Sequence, residues 1–517
     1  MQTNFFANFI PIFIWFDAML LENIKFWYDE RCTEVRESGA PLVRYSVLFD
    51  TIRDAIEDGD LLYRVKLPPT RALSKALGLS RSTVVKAYDM LAIEGFVDVV
   101  QGSGYTINPD SLMAKIEAEP SNTSKPIQSY PNLAASAQAF LETSSRINST
   151  DQKSVAFRPG IPPLDIFPVG AWRQITNAYW RNIRLTELSY SPSSGMPSLK
   201  YNLAKYLNVS RGLRCKPDQI FITSGSLQSI FLVGSALINP GDRVMLEEPT
   251  FPNVISIFKG LRADLQPISV DQKGAKIEEW TSQAKLIHTT PACHYPLNYV
   301  MSNERRQELI QRAHDFGAII IENDYEHEIN YRGAPQNLIH SLDPNDRVIY
   351  MSTFNRLLHP SIRLGYMVVP EFLIAPIEAI LKHTHRFVPP SLQWALNRFL
   401  EKAILHSHIE NVHQTIMERW EVFSDTWFDL FQDRFPILTY FSRSLHVTAL
   451  APRSTPDVKL VEELEKNDLI AHPLSRCYWS KPAMNGLIMG YSSVHSKAIP
   501  RKIEQVHSIL MDQLDQC

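Results

Sequence analysis

The chain has 517 residues, 44% hydrophobic and 21% charged, with a formal net charge of -3. This is ordinary globular composition with material for a sizeable core, and it excludes a disordered, collagen-like or coiled-coil chain. A whole-molecule coat for nucleic acid would need a large positive excess, so only a local basic patch stays open. The five cysteines, Cys32, Cys215, Cys293, Cys477 and Cys517, are odd in number and far apart, with no C-x-x-C pair. They argue against a disulfide framework and a structural zinc site and favour a reducing compartment, read as the cytoplasm.

Residues 1–41 read as an N-terminal extension. Phe5 to Phe16 is almost wholly apolar (FFANFIPIFIWF). Twelve helical residues would span about 18 Å, short of the ~30 Å hydrocarbon core. Pro11 interrupts the run, Asp17 closes it, and no Lys or Arg precedes it, so a membrane span and a signal peptide are both disfavoured. Two readings are left: an extension that packs on the protein, or an over-long start with Met19 as the first residue.

Residues 42–107 read as a small compact unit. Val47, Leu48, Ile52, Ala55 and Ile56 recur at helical spacing in the helix from Tyr45 to Glu57. A second helix follows Pro68–Pro69 with Thr70 as its cap, and Gly78 ends it. Ser80 caps a third, SRSTVVKAYDMLAIEG. Helix, glycine-containing turn and helix make a helix-turn-helix, and FVDVVQGSGYTI reads as a two-stranded wing around Gly102, Ser103 and Gly104. Between Leu61 and Tyr88 stand six basic residues and no acidic one: Arg64, Lys66, Arg71, Lys75, Arg81 and Lys86. Such a local field suits DNA, because phosphate contacts supply much of the affinity. Arg81 can fork onto guanine, and the hydroxyls of Ser80, Ser82 and Thr83 can reach phosphates or base edges.

Residues 108–153 are rich in Ser, Asn, Thr, Pro and Ala and read as a linker. Residues 154–517 alternate apolar strands with helical patterns. QIFITSG (219–225), RVMLEEP (243–249), KLIHTTP (285–291), AIIIEND (318–324) and RVIYMST (347–353) are the strands. The alternation predicts an α/β domain with a mainly parallel sheet.

LPPTRALSKALGLSRSTVVKAYDML (67–91), followed by EGF and QGSGYTI, resembles the winged helix-turn-helix of GntR-type bacterial transcription regulators. The resemblance implies DNA contacts by Arg71, Ser80, Arg81, Ser82, Thr83, Gly102 and Gly104; the basic run adds Lys86 and the wing adds Ser103 as candidate contacts. The family's Pro-Gly turn before LPP is absent, where this chain has Leu62-Tyr63-Arg64-Val65-Lys66. VAFRPGIPPLDIFPVGAW (155–172), YSPSSGMPSLKYNLAKYL (190–207) and QIFITSGSLQSIFL (219–232) resemble the fold-type I aminotransferase domain with its smaller C-terminal α+β lobe. The combination is similar to the MocR subfamily of regulators.

That fold works on pyridoxal phosphate with a lysine that condenses with it, a carboxylate on its ring nitrogen, amides on its phosphate and a stacked aromatic ring. Ser226 and Leu227 open the strand-to-helix turn that matches the phosphate cradle, and Phe251 stands where the family has a stacking tyrosine. The family's E-D-D-Y is Glu322-Asn323-Asp324-Tyr325 here, so a neutral amide replaces the ring-pairing aspartate. In a regular strand Asp324 points the other way. The family's T-F-S-K is Thr353-Phe354-Asn355-Arg356, with Arg363 in the expected place seven residues on. A guanidinium stays protonated and is no amine nucleophile. No lysine occurs from Leu286 to Leu381, and TPACHYPLN (290–298), with Tyr295, replaces the usual T-P-S-H-Q-F-P-T-G. Ile488 stands where class I transaminases carry a carboxylate-binding arginine.

The resemblance therefore implies a sequence-specific transcription regulator of double-stranded operator DNA, homodimeric and cytoplasmic, with a catalytically inactive aminotransferase-like domain. The departures at Asn323 and Arg356 imply no covalent cofactor, and the short interrupted N-terminal run implies no membrane. Arg356 and Arg363 suit an anionic effector, pyridoxal phosphate or a relative, held non-covalently. Two alternatives stand beside this. One is a pyridoxal-phosphate-dependent aminotransferase with an appended DNA-binding head. In the other, Arg356 is paired internally with Asp324 or Glu322 and the pocket is structural only.

Overall fold

A computed structural model of the chain describes residues 10–37, 42–57, 61, 66–100, 104–108, 132–144, 156–326, 328–329, 337–438 and 444–515. The chain forms two compact units, Met1–Pro131 and Asn132–Cys517.

In the first unit the helices are α1 (Ile10–Glu37), α2 (Arg44–Glu57), α3 (Thr70–Leu77) and α4 (Arg81–Ile93). All five apolar positions read at helical spacing in α2 are buried, and they join Leu73, Val84, Ala87, Tyr88 and Leu91 in one core. From Leu20 onward α1 belongs to this core, through Leu20, Ile24, Tyr28 and Cys32. Gly78 ends α3 in the left-handed conformation (φ 63°), which costs glycine nothing. Thr70, read as the cap of α3, is instead its first helical residue; Pro69, extended at ψ 136°, precedes it. The wing is the antiparallel pair β1 (Val97–Val100) and β2 (Gly104–Ile107). The Leu67 amide donates to the Tyr105 carbonyl and the Tyr88 hydroxyl donates to the Pro68 carbonyl, so the LPP segment is fastened to both wing and α4.

In the second unit an eight-stranded sheet runs in the order β3-β10-β9-β8-β7-β4-β5-β6. Its strands are β3 (Ile220–Thr223), β4 (Arg243–Glu248), β5 (Asp264–Asp271), β6 (Gly274–Ala275), β7 (Leu286–Thr289), β8 (Ile319–Asn323), β9 (Val348–Thr353) and β10 (Gly365–Val368). The five strands read from the sequence are β3, β4, β7, β8 and β9. From β9 through β8, β7 and β4 to β5 every pairing is parallel. β10 runs antiparallel to both of its neighbours, so the sheet is mixed. Ile220 and Ile222 join one apolar cluster while Phe221 joins another. The sheet is thus covered on both faces, as the continuous apolar strands demand.

A smaller antiparallel sheet, in the order β11 (Val447–Leu450), β13 (Gly486–Met489), β12 (His472–Pro473), forms the C-terminal lobe. Ile488 is buried in it. Within the residues read as linker, Ala135–Ser144 is a helix, α5. It belongs to the second unit, where Phe140 packs so closely on Gly260 that a Cβ there would lie 2.3 Å from the phenyl ring. The Ala-rich stretch has the propensity for a helix but no apolar stripe to announce one.

Candidate functional site

In the first unit Arg71 and Lys75 are exposed on α3 and Arg81 is exposed at the start of α4. Ser80 caps α4 by accepting from the Thr83 amide at 3.2 Å, and its hydroxyl also meets those of Ser82 (2.9 Å) and Thr83 (2.7 Å). Ser80, Arg81 and Ser82 are exposed, Thr83 is half-buried, and the first turn of α4 holds no acidic residue. The positive end of the helix dipole adds to the same field. Arg81 Nε donates to Thr70 Oγ1 at 3.4 Å, which leaves the two terminal nitrogens for a ligand. Arg71 is exposed on α3, and Gly104 (φ 100°) is exposed at the start of β2 with open space where a side chain would stand. Lys86 is exposed, but its ammonium sits 3.7 Å over the Tyr45 ring, toward α2. Gly102, Ser103 and residues 62–65 lie outside the described residues.

In the second unit all ten residues read as a degenerate cofactor pocket line a single cavity of about 340 Å³. They are Ser226, Leu227, Phe251, Tyr295, Asn323, Tyr325, Thr353, Asn355, Arg356 and Arg363. The topology explains the convergence. Gly225 follows the end of β3, Phe251 follows β4, Thr290 follows β7, and Asn323 and Thr353 end β8 and β9. Ligands of open α/β sheets bind outside these carboxyl ends.

One end of the cavity is built for an anion. Gly225 (φ 124°, ψ 171°) adopts a backbone that only glycine takes readily, and it turns β3 into the helix α6 (Ser226–Leu237). The turn is tied down: the Ser224 amide and hydroxyl both donate to Gln228 Oε1, and the hydroxyls of Thr223 and Ser229 are 2.9 Å apart. The opening amides of α6 have no carbonyl one turn back and so can bind a negative group. Arg363 comes to the same place, with its Cζ 4.0 Å from where a Gly225 Cβ would be. Arg363 is itself left-handed (φ 48°, ψ 47°), a strained backbone of the kind found at binding sites. Asn355 Oδ1 accepts from the Leu364 amide and Thr353 Oγ1 donates to the Leu364 carbonyl, which together fix the loop that carries Arg363.

The other end differs from what the fold's cofactor uses. None of the residues lining the cavity is lysine. Arg356 donates to Glu326 Oε1 at 3.4 Å, lies 5.5 Å over the Tyr325 ring and presses on Gly160, where a Cβ would fall 1.5 Å from Nη1. Glu326 is buried and also accepts from the Ser444 hydroxyl (2.6 Å) and the Leu445 amide (3.2 Å). Burial pushes its carboxyl pKa up, and Arg356 beside it pulls it back. The carboxylate partner of Arg356 is thus neither Asp324 nor Glu322. Asp324 accepts from Arg211 and from the Tyr350 hydroxyl, away from the cavity, as strand alternation requires. Glu322 accepts from the Ile339 and His340 amides. Burial holds Glu322 up at about 7, against the pull of Arg306.

Asn323 faces the cavity, and its Nδ2 lies 3.2 Å from Nε2 of His288, a lining residue absent from the sequence reading. A histidine inside the buried strand Leu286–Thr289 is itself an anomaly and was the available signal. Gly160 and Glu326 were also missed, because only the folded chain brings them to Arg356. Phe251 meets Tyr295 edge to face at 4.8 Å, and both rings line the cavity. The phosphate end therefore fits pyridoxal phosphate, whereas the amine and the ring carboxylate that hold it in an aminotransferase have no counterpart on the cavity wall.

Residues 162–440 match the family model "Aminotransferase class I and II", and residues 44–107 match "Bacterial regulatory proteins, gntR family". The chain is 29% identical over 480 residues to the "Probable rhizopine catabolism regulatory protein MocR" of Rhizobium meliloti, covering 92% of this chain and 95% of that one. It is 28% identical over 450 residues to the "HTH-type pyridoxine biosynthesis transcriptional regulator PdxR" of Corynebacterium glutamicum, covering 86% and 91%. Among solved structures, the α-aminoadipate aminotransferase LysN of Thermus thermophilus superposes with a TM-score of 0.67 at 18% identity, covering 74% of this chain and 99% of that one. Two domain matches on one chain, each falling on its own compact unit, make this protein a member of the class I and II aminotransferase family with a GntR-family helix-turn-helix domain fused ahead of it.

Proposed function

We propose that the protein is a sequence-specific DNA-binding transcription regulator whose aminotransferase-like unit is a receptor for an anionic small molecule and carries out no transamination. The observation that carries this reading is the make-up of the cavity: two guanidiniums and a phosphate-binding turn, with no amine on its wall. The relatives named as regulators, similar along nearly the whole chain, support it. The protein acts on DNA in the cytoplasm as a homodimer, each head taking one half-site.

The ligand enters as a phosphate monoester. Arg363 and the α6 amides bind the phosphate, Phe251 stacks against a flat ring, and Asn323 meets the ring edge. Pyridoxal phosphate would supply an electron sink to a bound amine; the lysine that would hold it and move the proton, and the carboxylate that would keep its ring charged, are replaced here by Arg356 and Asn323. No covalent step follows. The name of the PdxR relative, with pyridoxine biosynthesis in it, favours a B6 vitamer as the ligand.

Selection of duplexes from a random pool by the full-length protein tests the DNA-binding half. A defined, two-fold related site is expected, bound at least about a thousandfold more tightly than random duplex. Recovery of unrelated sequences would overturn it.

A further inference from the structure

The ring end of the cavity carries information about the ligand beyond its phosphate. Asn323 is 7% exposed and His288 is fully buried. Burial pushes the His288 pKa down to about 4, so the imidazole is neutral at physiological pH. One end of the Asn323 amide is engaged with His288 Nε2. The other end, Oδ1, is buried with no hydrogen-bond partner among the described residues. A buried acceptor left in this state is costly. Turned over, the same amide accepts from a protonated Nε2 through Oδ1 and sets its Nδ2 N–H in the oxygen's place, so that no buried acceptor is left over. Asn323 forms part of the cavity wall, so that N–H can donate to an unprotonated ring nitrogen of a ligand. The pair stays electrically neutral.

The nearby carboxylates cannot supply a charge here, because each is engaged elsewhere. Glu247 accepts from Thr289 and Thr290, Glu322 from two backbone amides, Asp324 from Arg211, and Glu326 from Arg356, Ser444 and Leu445. A cationic ring would lose water at this wall and gain no counter-ion. A neutral ring loses nothing comparable and gains one hydrogen bond. At the same time Arg356 offers hydrogen-bond donors where a carbonyl-trapping amine would stand, so an aldehyde brings no advantage over an alcohol.

From this we infer that the cavity binds a phosphate monoester of a heteroaromatic ring whose ring nitrogen is unprotonated, such as pyridoxine 5′-phosphate, and does not discriminate between an alcohol and an aldehyde on that ring. The inference rests on the receptor reading above and adds to it the charge state of the ligand's ring and the indifference to its carbonyl.

Pyridoxine 5′-phosphate itself is the probe, titrated into the full-length protein by calorimetry with the ultraviolet spectrum of the bound ring recorded at pH 7. Protonated and unprotonated hydroxypyridines absorb differently, so the spectrum reports the ring charge directly. The wild-type protein is expected to bind the probe with the spectrum of the unprotonated ring, and to bind pyridoxal phosphate with an affinity within about threefold of it. Asn323→Asp restores a counter-charge and is expected to move the bound spectrum to the protonated form. Asn323→Leu is expected to lower affinity about tenfold without that spectral change. A protonated ring in the wild-type complex overturns the inference even if neither variant folds, as does a preference of a hundredfold or more for pyridoxal phosphate. The receptor reading fails separately, by absence of binding to the wild type or by binding that Arg363→Gln leaves unchanged.

Discussion

At the scale of single residues, neighbours decide what a few side chains can do. Arg81 is exposed at the start of α4 with Nε turned to Thr70, so its terminal nitrogens are available for a base. Arg81→Ala is expected to weaken specific binding by about 1–3 kcal/mol and to relax the preference at one base pair, measured by anisotropy titration on matched and mismatched duplexes. An equal loss on every duplex would make Arg81 a phosphate contact instead. Lys86 is a contrasting case: the sequence set it beside Arg81, but its ammonium lies against Tyr45, an arrangement that only packing reveals. In the cavity, Gly160 (φ 75°) makes room for the Arg356 guanidinium. Gly160→Ala brings both a strained backbone and a clash, and a lowered melting temperature, equivalent to about 1–3 kcal/mol, is expected by calorimetry. An unchanged melting temperature would mean that Arg356 swings away freely.

At the scale of elements, legibility followed the strength of the local pattern. Helix α2 was legible because its five apolar positions fall on one face, and β3, β4, β7, β8 and β9 because each is a short apolar run ending in Thr, Glu, Asn or a turn. The site residues read from the motifs converge on one cavity because those motifs all lie at the carboxyl ends of these strands. Strand β10 was hidden, since Gly365–Val368 is too short to show a period and one of its two pairing partners, β3, is far away in sequence. Glu326 was hidden for a similar reason: along the chain Glu322 and Asp324 look equally near, and only the alternation of β8 and the route after it decide which carboxylate meets Arg356. Helix α5 has ten residues, too few to be stable alone in water. Its order therefore depends on docking against the helix Pro252–Gly260, whose first turn contributes Asn253 and Val254 to the cavity. Phe140→Ala is expected to cut amide hydrogen-exchange protection over Ala135–Ser144 by tenfold or more while the central sheet keeps its own. Undiminished protection there would show that the helix is held by other contacts.

At the scale of the whole molecule, composition alone hid the division of labour. A net charge of -3 conceals a basic segment confined to the helix-turn-helix head. The large unit carries an acid sensitivity of its own. Burial lowers the pKa of His288 to about 4, lowers those of His294, His446 and His472 to about 3, and lowers those of His340, His359 and His408 as well. Between pH 6.5 and about 4 the unfolded chain binds protons that these folded imidazoles refuse, so stability falls with falling pH. Buried Glu247, Glu322 and Glu326 have raised pKa values and act in the opposite sense, but they are fewer. Each net proton is worth about 1.4 kcal/mol per pH unit, and a melting temperature of the large unit that drops steadily from pH 6.5 to 4.5 is expected. A flat profile would mean that the imidazoles gain solvent or partners in solution. This aminotransferase-like cavity is expected to hold a phosphorylated ligand with no covalent bond. Its most direct test is to incubate the full-length protein with pyridoxal phosphate, treat it with borohydride and map the modified residues by mass spectrometry, alongside calorimetry of the untreated mixture. Saturable binding is expected, with no lysine carrying a stoichiometric reduced adduct. A single lysine modified in proportion to binding, and protected by inorganic phosphate, would contradict it.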